Sequence, residues 1–178
     1  IVDSLVGSEM CIRDSVWSRD PWVLTFDSFL TEDEGAAFID TCEGHFSRSL
    51  AGDIVSPSRT SNQAWCQHRE CVSHPLVERV HQRIVNVTSV PKQNAEYFQV
   101  VRYEEGQFYK AHHDQNSRFD SLTGVRVFTF FMYLGEPRSG GETRFTQLNL
   151  TIPPTRGSAL WWPNVMNDDV RRTDTRTE

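Results

Sequence analysis

Apolar and polar positions along this chain follow two different periods, and the change falls near its middle. Pro21-Trp22-Val23-Leu24-Thr25-Phe26 is dense in β-branched and aromatic side chains and predicts a first strand. Thr31-Glu32-Asp33-Glu34 has the T-x-x-E form of a capping box and predicts an amphipathic helix running towards Phe46. Residues 50–58 carry Gly, Ser and Pro and predict a loop, with a strand over 59–65 behind it. Ser73 is the predicted cap of a second helix that tolerates Pro75 in its first turn. Leu76, Val77, Val80, Ile84 and Val85 give that helix an apolar stripe, most simply a core face.

After Pro91 the period shortens to two. Residues 97–103, 125–134, 143–145, 148–152 and 159–162 predict strands, separated by turns such as Ser139-Gly140-Gly141 and Pro153-Pro154. Helices followed by a meander of short strands predict an α+β domain: a barrel or jelly roll braced by N-terminal helices. Trp161 and Trp162 are adjacent, so one faces inward as core and the other outward. The outward ring, with Trp65, is a candidate wall of a peptide groove. Residues 167–178 are polar and predict no element.

Composition narrows the classes. The 178 residues, 38% apolar and 24% charged, suit one packed domain and exclude disordered and collagen-like chains. Nothing approaches the ~18 consecutive apolar residues of a membrane-crossing helix. Eighteen Lys plus Arg against 24 Asp plus Glu leave a net charge of −6, which argues against a nucleic-acid partner held through phosphates.

Residues 5–15, LVGSEMCIRDS, fit neither a signal peptide nor a helix pattern. They resemble the translation of a transposon-end sequencing adapter, whose ATG TGT ATA AGA GAC AG spells Met10-Cys11-Ile12-Arg13-Asp14 and opens a codon for Ser15. Residues 1–15 are therefore set aside as adapter-derived, and the domain is expected over 16–178. Of the four cysteines, Cys42, Cys66 and Cys71 remain. Cys66 and Cys71 are close enough to bridge, and two reduced thiols are the equal alternative. With only His68 between them and no second pair, zinc is not expected. Asn86-Val87-Thr88 and Asn149-Leu150-Thr151 fit the glycosylation pattern, which matters only in a luminal protein.

The richest segment runs from Tyr103 to Asp114, YEEGQFYKAHHD. On an extended strand His112 and Asp114 share a face while His113 points away. An imidazole and a carboxylate on one face are two of the three ligands of a 2-His-1-carboxylate triad, which leaves positions open on Fe(II) for a chelating cosubstrate and O2. Taken alone, H-x-D is more often a surface ion pair or a hydrogen-bonded strand end than a metal site.

The wider context is more specific. Tyr103 opens a Y-x-x-G-Q-x-Y-x-x-H-x-D run. The apolar strand from Arg126 follows it, then Gly140-Gly141-Glu142-Thr143 and the stretch from Pro154 to Leu160. With Arg59-Thr60-Ser61 ahead of them, these motifs resemble the collagen-type prolyl 4-hydroxylases of the Fe(II)/2-oxoglutarate dioxygenases, over roughly 20–178. The resemblance implies a double-stranded β-helix, or jelly roll, and hydroxylation of peptidyl proline at C4. Fe(II), O2 and 2-oxoglutarate are consumed or used, succinate and CO2 are released, and ascorbate serves as a further cofactor. It implies His112 and Asp114 as metal ligands, and Tyr103 and Thr129 as cosubstrate contacts. Tyr109 and Arg126 would meet a proline-containing peptide or protein substrate. No general base is implied, because cofactor chemistry carries C–H cleavage. Related enzymes are often found in the secretory pathway, in the endoplasmic reticulum or Golgi lumen.

The family pattern breaks at one place. No histidine follows Asp114, and His45, His68, His74 and His81 all fall too early. The family's basic residue beyond the second histidine is absent as well. In similar proteins a D-x-R-T-E stretch runs straight into that histidine, and Asp174-Thr175-Arg176-Thr177-Glu178 closes this chain. The expectation is that histidine follows Glu178, that the last barrel strands are missing, and that 1–178 is an inactive piece of an active hydroxylase. Two other readings stay open: a 2-oxoglutarate oxygenase with a non-prolyl substrate, and a non-catalytic peptide-binding jelly-roll domain.

Overall fold

The computed structural model describes residues 13–52, 54–115 and 124–178. In chain order its elements are β1 (Arg13–Arg19), β2 (Trp22–Asp27), α1 (Glu32–Cys42), β3 (Ser47–Arg48), β4 (Asn62–Trp65), α2 (Arg69–Val72), α3 (Pro75–Thr88), β5 (Gln99–Arg102), β6 (Phe128–Met132), β7 (Thr143–Phe145), β8 (Leu150–Ile152) and β9 (Ala159–Pro163). Short 3-10 turns cover Lys92–Asn94 and Thr175–Thr177. The chain forms two compact units. One is built on Leu30–Lys110, and the other joins the N-terminal strands to Ala111–Glu178.

The first unit carries the three helices and the antiparallel sheet β3-β4-β5. α1 starts where its sequence says it should. The Thr31 hydroxyl accepts the Glu34 N–H at 3.2 Å, and the Glu34 carboxylate accepts the Thr31 N–H at 3.0 Å. The helix stops at Cys42, short of Phe46, because Gly44 takes a φ of 82° that a helix does not use. The second helix is capped by His74, whose Nδ1 accepts the Leu76 N–H at 3.3 Å, and not by Ser73, which closes α2. Pro75 explains the shift: it occupies the first helical position, so the residue directly before it becomes the cap. Val77 and Val80 are buried, and Phe38 of α1 meets Phe98 edge-on at 5.0 Å between centroids. Cys66 and Cys71 form a disulfide, with Cα atoms 5.2 Å apart, and Cys42 is a buried free thiol.

The second unit is an antiparallel sheet, β1-β2-β9-β6, accompanied by the β7–β8 hairpin. Their apolar faces make one core of Val23, Tyr133, Phe145, Ile152, Leu160 and Trp162. Trp162 is the inward member of the tryptophan pair. Trp161 is half-buried against Phe128, at 5.8 Å between ring centroids.

Two parts of this unit lie beyond the elements the sequence predicts. The β1–β2 ladder extends into Arg13–Ser15, which pair with Asp27, Phe26 and Thr25. Ladder bonds join backbone groups, so pairing there requires no particular side chains. The polar stretch near Glu178 is also ordered. Val165 bridges Thr173, Asp174 is 2% exposed, and its carboxylate accepts a two-pronged bond from the Arg176 guanidinium at 2.8 Å on each side. The Thr177 hydroxyl lies 2.9 Å from the Pro163 carbonyl. Charge pairing does here what apolar burial does elsewhere, and it leaves no period to read.

Candidate active site

Residues 111–115 form no strand, so the alternation that would place His112 and Asp114 on one face does not operate. The two side chains nevertheless meet, with His112 Nε2 3.2 Å from Asp114 Oδ1. Side-chain and backbone anchors take the place of strand geometry. Thr129, on β6, donates its hydroxyl to Asp114 Oδ2 at 2.6 Å. Asn164, buried just past β9, donates its amide to that same hydroxyl oxygen at 3.0 Å. Arg126 donates from Nη1 to the Asp114 carbonyl at 3.3 Å, and its backbone N–H donates to Gln115 Oε1 at 3.0 Å. His113 is turned to a different neighbour, with Nε2 3.9 Å from Glu178 Oε2.

Burial pushes the Asp114 carboxyl up. The hydrogen bonds from His112 and Thr129, with the charges of His112 and Arg126, outweigh it and hold the group below the usual aspartate range. The carboxylate is therefore ionised at neutral pH. It is also accessible: the side chains of His112 and Asp114 are 36% and 27% exposed. An ionised oxygen beside an imidazole nitrogen, open to solvent and braced from behind, is a donor set suited to a divalent metal of the Fe(II) type. Among the described residues no group of three His, Cys, Asp or Glu side chains surrounds a common point.

The remaining residues singled out in the sequence fall in the other unit. Tyr103 follows β5 and is half-exposed. Tyr109 pairs through its backbone with Arg59, whose guanidinium stacks over the Tyr109 ring at 4.6 Å. Trp65 ends β4, opposite Gln99 and half-buried. The structure thus joins His112, Asp114, Arg126 and Thr129 in one cluster, and places Tyr103, Tyr109 and Trp65 on the unit that carries the helices.

One participant in the cluster carries no sequence signal of its own, and two further buried polar groups are engaged elsewhere. Asn164 is a lone polar residue after an apolar strand, and only its bond to Thr129 reveals a role. Arg59 is buried, with Nη1 donating to the Leu50 carbonyl at 2.9 Å and Nη2 to Gln99 Oε1 at 3.4 Å. Inside the strand unit, the Tyr133 hydroxyl lies 2.8 Å from the Thr143 hydroxyl, and burial pushes that phenol up to about 12.

Comparison with known proteins gives this geometry a class. Residues 98–176 match the family model of the 2OG-Fe(II) oxygenase superfamily. That span includes every member of the cluster. The chain is similar to prolyl 4-hydroxylases. It is 32% identical over 177 residues to prolyl 4-hydroxylase subunit alpha-1 of Caenorhabditis elegans, covering 93% of this chain and 31% of that protein. It is 31% identical over 173 residues to prolyl 4-hydroxylase 1 of Arabidopsis thaliana, covering 85% and 61%. The chain therefore spans 31% and 61% of these two relatives' lengths. The viral collagen prolyl hydroxylase of Paramecium bursaria Chlorella virus-1 shares the fold. Its TM-score is 0.66 at 24% identity, over 87% of this chain and 84% of that one.

Proposed function

We propose that the protein of which this chain is part hydroxylates peptidyl proline at C4, using Fe(II), O2 and 2-oxoglutarate. The observation that carries this reading is the His112–Asp114 pair, 3.2 Å apart, inside the segment matched by the oxygenase superfamily. His112 and Asp114 would hold the metal, at which O2 would serve as oxidant and 2-oxoglutarate as the two-electron co-substrate for C–H hydroxylation. The chain's own residues orient and exclude. Thr129, itself held by Asn164, fixes one oxygen of Asp114 and leaves the other facing His112. Arg126 anchors the Asp114 backbone and belongs to the substrate side of the cluster. Tyr103 serves the cosubstrate, and Tyr109 and Trp65 line the peptide path. Thr129 can also meet the cosubstrate only by sharing its single proton with Asp114. Ascorbate would supply external reducing equivalents to such a site.

The third ligand, on this reading, is a histidine following Glu178, and strands beyond it complete a double-stranded β-helix from the four-stranded sheet and the β7–β8 hairpin. Residues 1–15 are adapter-derived and 16–178 are the dioxygenase domain. The Cys66–Cys71 disulfide supports a lumen of the secretory pathway as its compartment.

The test is a chain extended through the transcript past Glu178, assayed with Fe(II), 2-oxoglutarate and a proline-rich peptide. Peptide-stimulated succinate release with one oxygen gained on proline is expected, and Asp114→Asn abolishes both. Succinate release that the peptide fails to stimulate points to a non-prolyl substrate. Peptide binding equal with and without metal makes it a binding domain. For residues 1–178 alone, Mn(II) is expected to raise the melting temperature little, since solvent must replace one imidazole. A large rise in that experiment overturns the assignment of the third ligand.

A further inference from the structure

Two N-x-T motifs take no part in the candidate site, and the fold treats them differently. Asn86 lies inside α3, where Gln82 Nε2 donates to its Oδ1 at 3.0 Å. The hydroxyl of Thr88 donates to the Ile84 carbonyl at 2.8 Å. Residues i and i+2 of a helix do not face one another, so the hydroxyl is turned away from the carboxamide it would have to assist. Both polar groups of that motif are already engaged in the helix.

Asn149 ends the turn between β7 and β8, with φ at 51° and its N–H 3.4 Å from the Thr146 carbonyl. Asparagine enters this left-handed region more readily than other residues with a side chain. Leu150 opens β8 and packs inward against the strand-unit core. Its neighbours Asn149 and Thr151 are both exposed, as are Thr146 and Gln147 in the same turn. Neither the Asn149 carboxamide nor the Thr151 hydroxyl is hydrogen-bonded to another described residue. One extended residue between them brings acceptor and hydroxyl to the same outward side.

We propose that Asn149 is an N-glycan acceptor, and that Asn86 in the folded chain is not. The donor class is a lipid pyrophosphate-linked oligosaccharide. A bond forms between Asn149 Nδ2 and C1 of the sugar, and the C1–O bond to pyrophosphate breaks. Its electron pair leaves on the phosphate oxygen while the amide gives up one proton, so nothing is oxidised or reduced. A glycan here extends from an exposed tip and displaces no packed side chain. The proposal stands apart from the reading of His112 and Asp114.

The experiment incubates the purified folded chain with a single-subunit oligosaccharyltransferase and its lipid-linked donor, in parallel with urea-unfolded chain diluted into the same reaction. Peptide mass spectrometry reads each motif. The expected result is a mass shift of one oligosaccharide on the Asn149 peptide of the folded chain, lost in Asn149→Gln and in Thr151→Ala. The Asn86 peptide gains the shift only in the unfolded sample. An unmodified Asn149 in the folded chain overturns the proposal, and so does an occupancy of Asn86 equal to or above that of Asn149.

Discussion

Glu34 in the helical unit and Asp114 in the strand unit are both held below the usual carboxyl range, by different means. At Glu34, burial pushes the group up and is outweighed by the Arg83 guanidinium, the Thr31 N–H and the charge of Arg79. Both oxygens meet Arg83 at 2.8 Å, and the side chain is fully buried. Every lone pair directed at a neighbour serves the fold. Asp114 has a hydroxyl on one oxygen, an imidazole beside the other, and solvent in reach. A carboxylate closed off by a guanidinium fork is structural. One braced by a hydroxyl on one oxygen, with an imidazole beside the other, keeps that second oxygen for a ligand from outside.

Substitutions can break that contrast. Arg83→Met leaves a buried carboxylate without its cation and is expected to cost about 3–5 kcal/mol, read as a lower denaturant midpoint with unchanged slope. The same pair makes a pH prediction. A depressed carboxyl contributes stability in full above its ordinary value of 4.5 and loses it as the pH falls through the folded-state value. Acid titration of stability should therefore steepen below pH 4.5 in the parent chain and flatten in Arg83→Met. Equal slopes in the two proteins would mean the ion pair is not what lowers Glu34.

Thr129→Val should cost less, about 1–3 kcal/mol, by stranding the buried Asn164 amide and removing a donor from Asp114. Thr129→Ser restores both bonds and should recover most of that loss. If the serine variant is as unstable as the valine, the methyl group and not the hydroxyl is what matters. Thr31→Ala is the smallest of the three, about 1 kcal/mol for a lost helix cap. It should leave metal binding at His112 and Asp114 unchanged, since it acts in the helical unit.

What the sequence made legible follows from how far apart the interacting residues lie. The Thr31–Glu34 capping box closes within three residues, so its pattern states its own geometry. The apolar stripe of α3 and the apolar runs read as strands at 143–145 and 159–162 reflect burial directly. His112 and Asp114 were found as a pair through an assumed strand that is not there; they converge because Thr129, fifteen positions on, captures the carboxylate. Asn164 acts on Thr129 across thirty-five positions. No local period encodes such a bond. The ordered end near Asp174 was missed for a related reason, because its cohesion is ionic and its residues look like any solvated tail.

The strand unit is split in the chain: Leu24 of β2 pairs with Trp161 of β9, and the whole helical unit lies between them in sequence. During synthesis β2 leaves the ribosome early and must wait for its partner, on the order of ten seconds at ~5–20 residues per second. Until then only its other edge is paired, by β1, the neighbour across the Asp20-Pro21 turn. The helical unit, built on Leu30–Lys110, is complete long before. The order of birth thus builds the helical unit first and closes the sheet beneath the candidate metal site last, when Phe128–Met132 and Ala159–Pro163 have both arrived.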